Sequence, residues 1–151
     1  MPNKTKVLFL CHGNICRSVM AEYMFKDMVK EAGLDVEVDS AALTSEEIGN
    51  PIYPPARKKL IEKGVTLGTH RARLTKRSDY EKYDYLIGMD LENKYDMDYI
   101  YGEDIYHKRY LLMDFAGLSK EISDPWYTGD FETTYNDLMV GLTALLEELK
   151  K

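Results

Sequence analysis

Cys11-His12-Gly13-Asn14-Ile15-Cys16-Arg17-Ser18 separates a thiol from a guanidinium by five residues that include a glycine and an amide. The segment follows an apolar, strand-like run, Val7-Leu8-Phe9-Leu10, and precedes a strongly helical pattern. A loop so placed is an anion cradle. Its backbone N–H groups converge, and the helix N-terminus adds about half a positive charge at the same point. Arg17 closes the cradle with a two-pronged contact to phosphate oxygens. A field that holds a phosphate dianion also favours thiolate over thiol, which makes Cys11 a nucleophile. The chemistry implied is phosphoryl transfer to cysteine. The Cys and Arg spacing means little alone, because lone cysteines at strand ends are mostly core. It gains meaning from the strand before, the helix after, and Gly13, Asn14 and Ser18 beside it. A metal site on Cys11, His12 and Cys16 would need a fourth ligand from His70 or His107 and lacks the close cysteine pairs usual for zinc. No metal and no cofactor are therefore expected.

Hydrolysis through a cysteine-bound phosphate needs an acid for the leaving oxygen and a base for the later water, and one carboxyl group serves both steps. Asp124-Pro125-Trp126-Tyr127 is the candidate. An Asp before Pro is held extended, and the neighbouring aromatics are suited to wall a pocket. The plain alternative is a surface turn, in which Asp-Pro is common.

The elements that must position these groups follow from hydrophobic periodicity. Lys6 to Leu10 reads as a buried strand. Ala21, Met24, Phe25, Met28, Val29 and Ala32 form the stripe of an amphipathic helix stopped by Gly33. Leu34 to Ala41 reads as a second strand, and Pro54-Pro55 opens a short helix ended by Gly64. Tyr85 to Met89 is a third strand, followed by a helix-prone segment from Asp90, and Tyr110 to Met113 a fourth. Phe131, Tyr135, Leu138, Leu142, Leu145, Leu146 and Leu149 share one face of a last helix, with Asp130 as its cap. Strands alternating with helices predict an α/β three-layer sandwich with a central four-stranded parallel sheet. Its ligand site lies at the carboxyl ends of the strands, where the phosphate-binding loop after the first strand falls.

The chain of 151 residues fits one domain, residues 1–151, with no repeat or linker. No apolar run approaches the roughly 20 residues of a membrane span. Met1 to Lys6 leads into only a short apolar run, unlike a secretory signal. Two cysteines within one short motif do not make a disulfide framework, so a cytoplasmic location is expected. A net charge of −6 argues against nucleic acid as partner. The basic stretch from Lys58 to Arg77 reads as a solvated face with some residues near an anionic site.

Taken together, these motifs resemble the low-molecular-weight protein tyrosine phosphatases. The nucleophile is N-terminal and the acid C-terminal, as in that family. Asp39-Ser40-Ala41, Ile48-Gly49-Asn50-Pro51, His70-Arg71-Ala72-Arg73 and Met89-Asp90-Leu91-Glu92-Asn93 extend the match over essentially the whole chain. The resemblance implies that phosphotyrosine, and aryl phosphates generally, are hydrolysed through a phosphocysteine intermediate. Cys11 would be the nucleophile, Arg17 the ligand of the equatorial oxygens, and Asp124 the general acid and then base. Residues His12 through Ser18 would bind the phosphate. Ser18 would donate to the Cys11 thiolate, while Asn14, Ser40 and His70 hold the loop. Asp90 either orients Arg17 or the acid loop, or caps a helix. Ile15, Trp126, Tyr127 and Asn50 would line the substrate pocket, with Glu46 and Glu47 at its rim. Cys16 would be a packing residue or the partner of Cys11 in a reversible disulfide. The implied partners are a phosphotyrosine protein or peptide, and inorganic phosphate as product and inhibitor. The implied state is a monomer or weak dimer.

This chain departs from the family pattern in places. Val19 stands where proline is usual, and Glu46 where many members carry an aromatic. An acid there suits basic residues flanking a phosphotyrosine. Arsenate reductases of this fold relay oxidation through further cysteines, which this chain lacks. Protein-arginine phosphatases carry threonine at the position of Ile15. A branched apolar side chain there should crowd a guanidinium phosphate and favour a flat aryl ester. A non-catalytic phosphopeptide-binding module would have lost the nucleophile or the acid, and both are present.

Overall fold

Residues 4–151 are described by the computed structural model; Met1, Pro2 and Asn3, part of the stretch read against a secretory signal, lie outside them. Strand β1 (Thr5–Cys11) lies between β2 (Val36–Ala42) and β3 (Tyr85–Gly88), with β4 (Arg109–Leu111) beyond β3. All pairs are parallel, with Phe9 opposite Ser40 and Ile87, and Cys11 opposite Ala42. β1 is covered on both faces, which explains its unbroken apolar run. Val7, Phe9 and Cys11 enter one core, and Leu8 and Leu10 the other.

Helices fill both sides. Helix α1 (Arg17–Glu31) sends Met20, Met24 and Phe25 into the first core. There they meet Ala56 and Leu60 of α2 (Pro54–Glu62) and Leu138, Leu142 and Leu145 of α6 (Phe131–Leu149). The second core takes Tyr80 from α3 (Asp79–Lys82), Tyr83 beyond it, and Met97 and Tyr101 from α4 (Leu91–Tyr101). This is the expected three-layer α/β sandwich on a four-stranded parallel sheet. The chain lays β2 on one side of β1 and β3 on the other, so the switch in strand order falls at the carboxyl end of β1.

Caps fall where the sequence placed them. Gly33 turns at φ +70 after α1, and Asp130 accepts from Thr133 N–H at 3.0 Å to start α6. The fourth strand is shorter than its apolar run. It stops at Leu111, whose N–H donates to Asp114 Oδ2 at 2.8 Å, and Leu112–Ala116 winds into a 3-10 turn. Leu112 is drawn down onto α6, where only a glycine fits. A Cβ on Gly141 would come within 2.5 Å of Leu112 Cγ. The four-residue helices α3 and α5 (Pro125–Thr128) are too short to show a period and were not expected. No helix of the described residues is long and apolar enough to cross a membrane.

Candidate active site

The cradle is held from behind by one amide. Asn14 sits at φ +61, a left-handed conformation that costs most L-residues about 1–2 kcal/mol and that Asn tolerates best. Its side chain uses every donor and acceptor it has. Nδ2 donates to Ser18 Oγ at 2.8 Å and to Ser40 Oγ at 2.9 Å. Oδ1 accepts from His70 Nε2 at 2.7 Å and from Arg73 N–H at 3.2 Å. Ser18 Oγ thus accepts from Asn14, which leaves its own proton for Cys11 Sγ, 3.0 Å away. Asn14 N–H points at the same sulfur from 3.3 Å. Among the described residues, the N–H groups of Gly13, Ile15, Cys16 and Arg17 have no protein acceptor, as an anion cradle requires.

Behind Asn14 the network ends on a carboxylate that sequence reasoning missed. Glu22, 1% exposed, accepts from Ser40 Oγ and from Lys26 Nζ, each at 2.6 Å. His70 Nδ1 lies 3.3 Å from Glu22 and 3.7 Å from Asp39. Burial lowers the His70 pKa, with the two carboxylates opposing. In the sequence Glu22 and Lys26 read as a surface pair four residues apart, so nothing marked Glu22 as buried.

Arg17 opens α1 with its side chain 3% exposed. Nη1 donates to Asp90 Oδ2 at 2.7 Å and to the Ile122 carbonyl at 3.0 Å, and Nη2 to Asp124 Oδ2 at 3.3 Å. Burial works against its charge, but Cys11, Asp124 and Asp90 outweigh it and raise the pKa. Asp90 does two things at once, because its Oδ1 also accepts from Asn93 N–H at 2.8 Å and caps α4. Asp124 is extended before Pro125, and its Oδ1 caps α5 by accepting from Trp126 N–H at 3.0 Å.

Cys11, Arg17 and Asp124 therefore share one cleft of about 290 Å³, also lined by His12, Gly13, Ile15 and Cys16. Glu46, Glu47, Trp126 and Tyr127 complete its lining, and Glu46 is paired with His12 Nε2 at 2.8 Å. Asn50 does not line it. That assignment is corrected: Asn50 Nδ2 donates to Glu47 Oε2 at 2.5 Å and its carbonyl accepts from Ala72 N–H, so it braces the rim from behind. The Asn14 and Ser18 side chains, unlike the exposed Asn50, are buried behind the cradle. A larger, shallower depression of about 660 Å³ between Ile52, Arg57, Lys58 and Arg71 contains none of Cys11, Arg17 and Asp124. Both cysteines are free thiols, and burial, then Cys11 and Asp124, pushes the Cys16 thiol pKa up. Cys16 is thus held as a thiol beside Cys11.

Comparison with known proteins places the chain in a family and a fold. The family model described as low molecular weight phosphotyrosine protein phosphatase matches residues 6–151. The chain is 35% identical over 150 residues to the low molecular weight protein-tyrosine-phosphatase YfkJ of Bacillus subtilis, covering 96% of each. The crystal structure of YfkJ superposes with a TM-score of 0.94 at 33% identity, covering 99% of this chain and 96% of that one. The low molecular weight phosphotyrosine protein phosphatase 1 of Drosophila melanogaster is 37% identical, over 95% of this chain and 96% of its own. A Drosophila arginine phosphatase has the same fold, with a TM-score of 0.88 at 27% identity, covering 97% of this chain and 99% of its own.

Proposed function

Because the chain belongs to the low molecular weight phosphotyrosine protein phosphatase family, we propose that it hydrolyses protein phosphotyrosine with Cys11, Arg17 and Asp124 as its reacting groups. The observation that carries this reading is the meeting of a strand-end thiol, a buried arginine fork and an extended Asp in one cleft. Phosphate sits on the backbone of residues 12–17 with its oxygens against Arg17. Cys11 sulfur attacks phosphorus in line as the bond to the phenolic oxygen breaks, and Asp124 gives that oxygen its proton. Asp124, now a carboxylate, takes a proton from water as the water attacks the phosphocysteine, releasing inorganic phosphate and the thiolate. The Ser18 proton, 3.0 Å from sulfur, stabilises the departing thiolate. Little covalent work falls to the protein beyond the thiol, so the rate comes from positioning and charge stabilisation.

Ile15 on the cleft wall supports a flat aryl ester as substrate. The arginine phosphatase on this fold is the competing reading, and it predicts the opposite preference. Wild-type protein assayed with EDTA, beside a Cys11→Ser blank, is expected to turn over a phosphotyrosine peptide at least about tenfold faster than a phosphoarginine protein. The reverse order would keep the mechanism and overturn the pocket argument. The acidic rim of Glu46 and Glu47 supports a protein substrate with basic residues beside the phosphotyrosine. A working free thiol supports a reducing, cytoplasmic location for a single-domain protein, and the family resemblance supports a monomer or weak dimer.

Cys16 supports a protective role. Peroxide converts the Cys11 thiolate to sulfenic acid, and the Cys16 thiol then displaces water from it to give a disulfide that added dithiol reduces. Cys16→Ser is expected to keep turnover within about twofold of wild type, yet to recover far less activity after peroxide and dithiothreitol. Equal recovery in the two proteins would remove the role.

A further inference from the structure

Tyr53 breaks a local rule. It occupies the N-cap of α2, where Ser, Thr, Asp or Asn is preferred, and its side chain makes no capping hydrogen bond. A residue that gives up a local interaction is one to examine for a gain elsewhere. The gain lies in the aromatic contacts of its ring. The Tyr53 ring is 4.9 Å from the ring of Trp126, inclined at 56°, and 6.1 Å from that of Phe131. Its other side packs on the cluster of Ile15, Cys16 and Ala72, and its N–H donates to the Ile15 carbonyl at 2.9 Å. One residue thus grips the phosphate loop by backbone and side chain, and the acid loop by its ring.

The acid loop needs such a hold. Helix α5 has four residues, and of these Pro125 alone is buried, while Trp126 and Tyr127 are 53% and 84% exposed. Trp126 in turn is tied to the acid, since its N–H donates to Asp124 Oδ1 at 3.0 Å. Tyr53 is not among the residues that line the cleft.

We propose that Tyr53 is the positioning residue of the general acid: seated on Ile15 and Cys16, its ring holds Trp126 and so fixes Asp124 over the leaving oxygen. This rests on the reading of Asp124 as the acid. Proton donation matters in proportion to the basicity of the leaving group. Loosening the acid must therefore lower kcat/KM, which counts steps only as far as the phosphocysteine, for esters of weakly acidic phenols and spare it for strongly acidic ones. A general loss of structure slows both.

The test measures kcat/KM of the full chain on phenyl phosphate and 2,4-dinitrophenyl phosphate, which leaves out the later base step of Asp124, and compares wild type with Tyr53→Phe, Tyr53→Ser, Tyr53→Leu and Asp124→Asn. Asp124→Asn is expected to lose about 10²-fold on phenyl phosphate and much less on the dinitrophenyl ester. Tyr53→Ser is expected to lose about tenfold on the first and less than about twofold on the second. Tyr53→Phe keeps the ring and should match wild type on both. Tyr53→Leu keeps apolar bulk on Ile15 and gives the Tyr53→Ser pattern should that variant fold poorly. Trp126, the only tryptophan of the chain, supplies a second readout. Its quenching by acrylamide should rise in Tyr53→Ser and Tyr53→Leu but not in Tyr53→Phe. Equal losses on both esters, or no loss while quenching rises, would overturn the proposal. An Asp124→Asn protein without leaving-group dependence would instead remove the reading beneath it.

Discussion

Cys11→Ser is expected to abolish turnover of a phosphotyrosine peptide, by about 10⁵-fold or more, while the protein still binds inorganic phosphate. The two halves of that result have separate causes. A serine hydroxyl is not ionised near neutral pH, and Ser18 is placed to stabilise a thiolate, not to remove a proton from an alcohol. The cradle does not depend on the sulfur. It is held by the four hydrogen bonds of the Asn14 side chain to Ser18, Ser40, His70 and Arg73. Loss of a negative sulfur also relieves repulsion with a phosphate dianion, so binding should hold or tighten. Cys16 offers no bypass, because burial keeps it a thiol. Steady-state assay with the peptide, and calorimetric titration with phosphate, check both halves. Residual turnover within about 10²-fold of wild type would place the nucleophile elsewhere. Loss of phosphate binding would show that the cradle had collapsed.

The frame of this site was legible because each element carries a long or strict pattern. β1 shows a continuous apolar run because the helical layers cover both its faces, and α6 shows a helical stripe over five turns. Their ends meet at the motif, so Cys11 and Arg17 fall at the carboxyl end of a strand and the start of a helix. Asp124 was legible for a different reason. Proline after it disfavours helical backbone at that residue, and Asp124 is extended, so the side chain is free to cap α5 with one oxygen and meet Arg17 with the other.

Three residues were illegible because their environment is made by distant segments. Glu22 looks like a solvated acid paired with Lys26, and only the arrival of Ser40 from β2 and His70 from a later loop turns it into a buried anchor. Arg73 reads as one charge in a basic stretch, yet its backbone completes the Asn14 amide, and its side chain pairs with Asp39 and Asp79. Asn50 failed in the other direction. It lies beside the rim in sequence, but its side chain turns back to Glu47 and its carbonyl to Ala72 N–H. Sequence adjacency places a segment; hydrogen-bond demand decides which way each side chain turns.

Arg17→Lys is expected to lower kcat/KM by about 10³-fold, with most of the loss in kcat. Lysine keeps the charge, so the result separates charge from shape. The Arg17 guanidinium divides its donors, with Nη1 on Asp90 and the Ile122 carbonyl and Nη2 on Asp124, and a rigid plane keeps both directions at once. An ammonium is a single point. If it meets Asp90 it abandons the phosphate oxygens, and in either position it releases Asp124 from the tie at 3.3 Å. The three equatorial oxygens of the transferring group become coplanar only in the transition state, and a two-pronged donor matches them best there. Ground-state binding, served by charge and by the loop N–H groups, should weaken less, which is why kcat carries most of the loss. Burial adds to the effect, because the side chain is 3% exposed and ammonium is more strongly hydrated than guanidinium. Kinetics on an aryl phosphate, with thermal unfolding as the check on folding, measure this. A variant within about tenfold of wild type would mean that positive charge alone suffices and that the fork is dispensable.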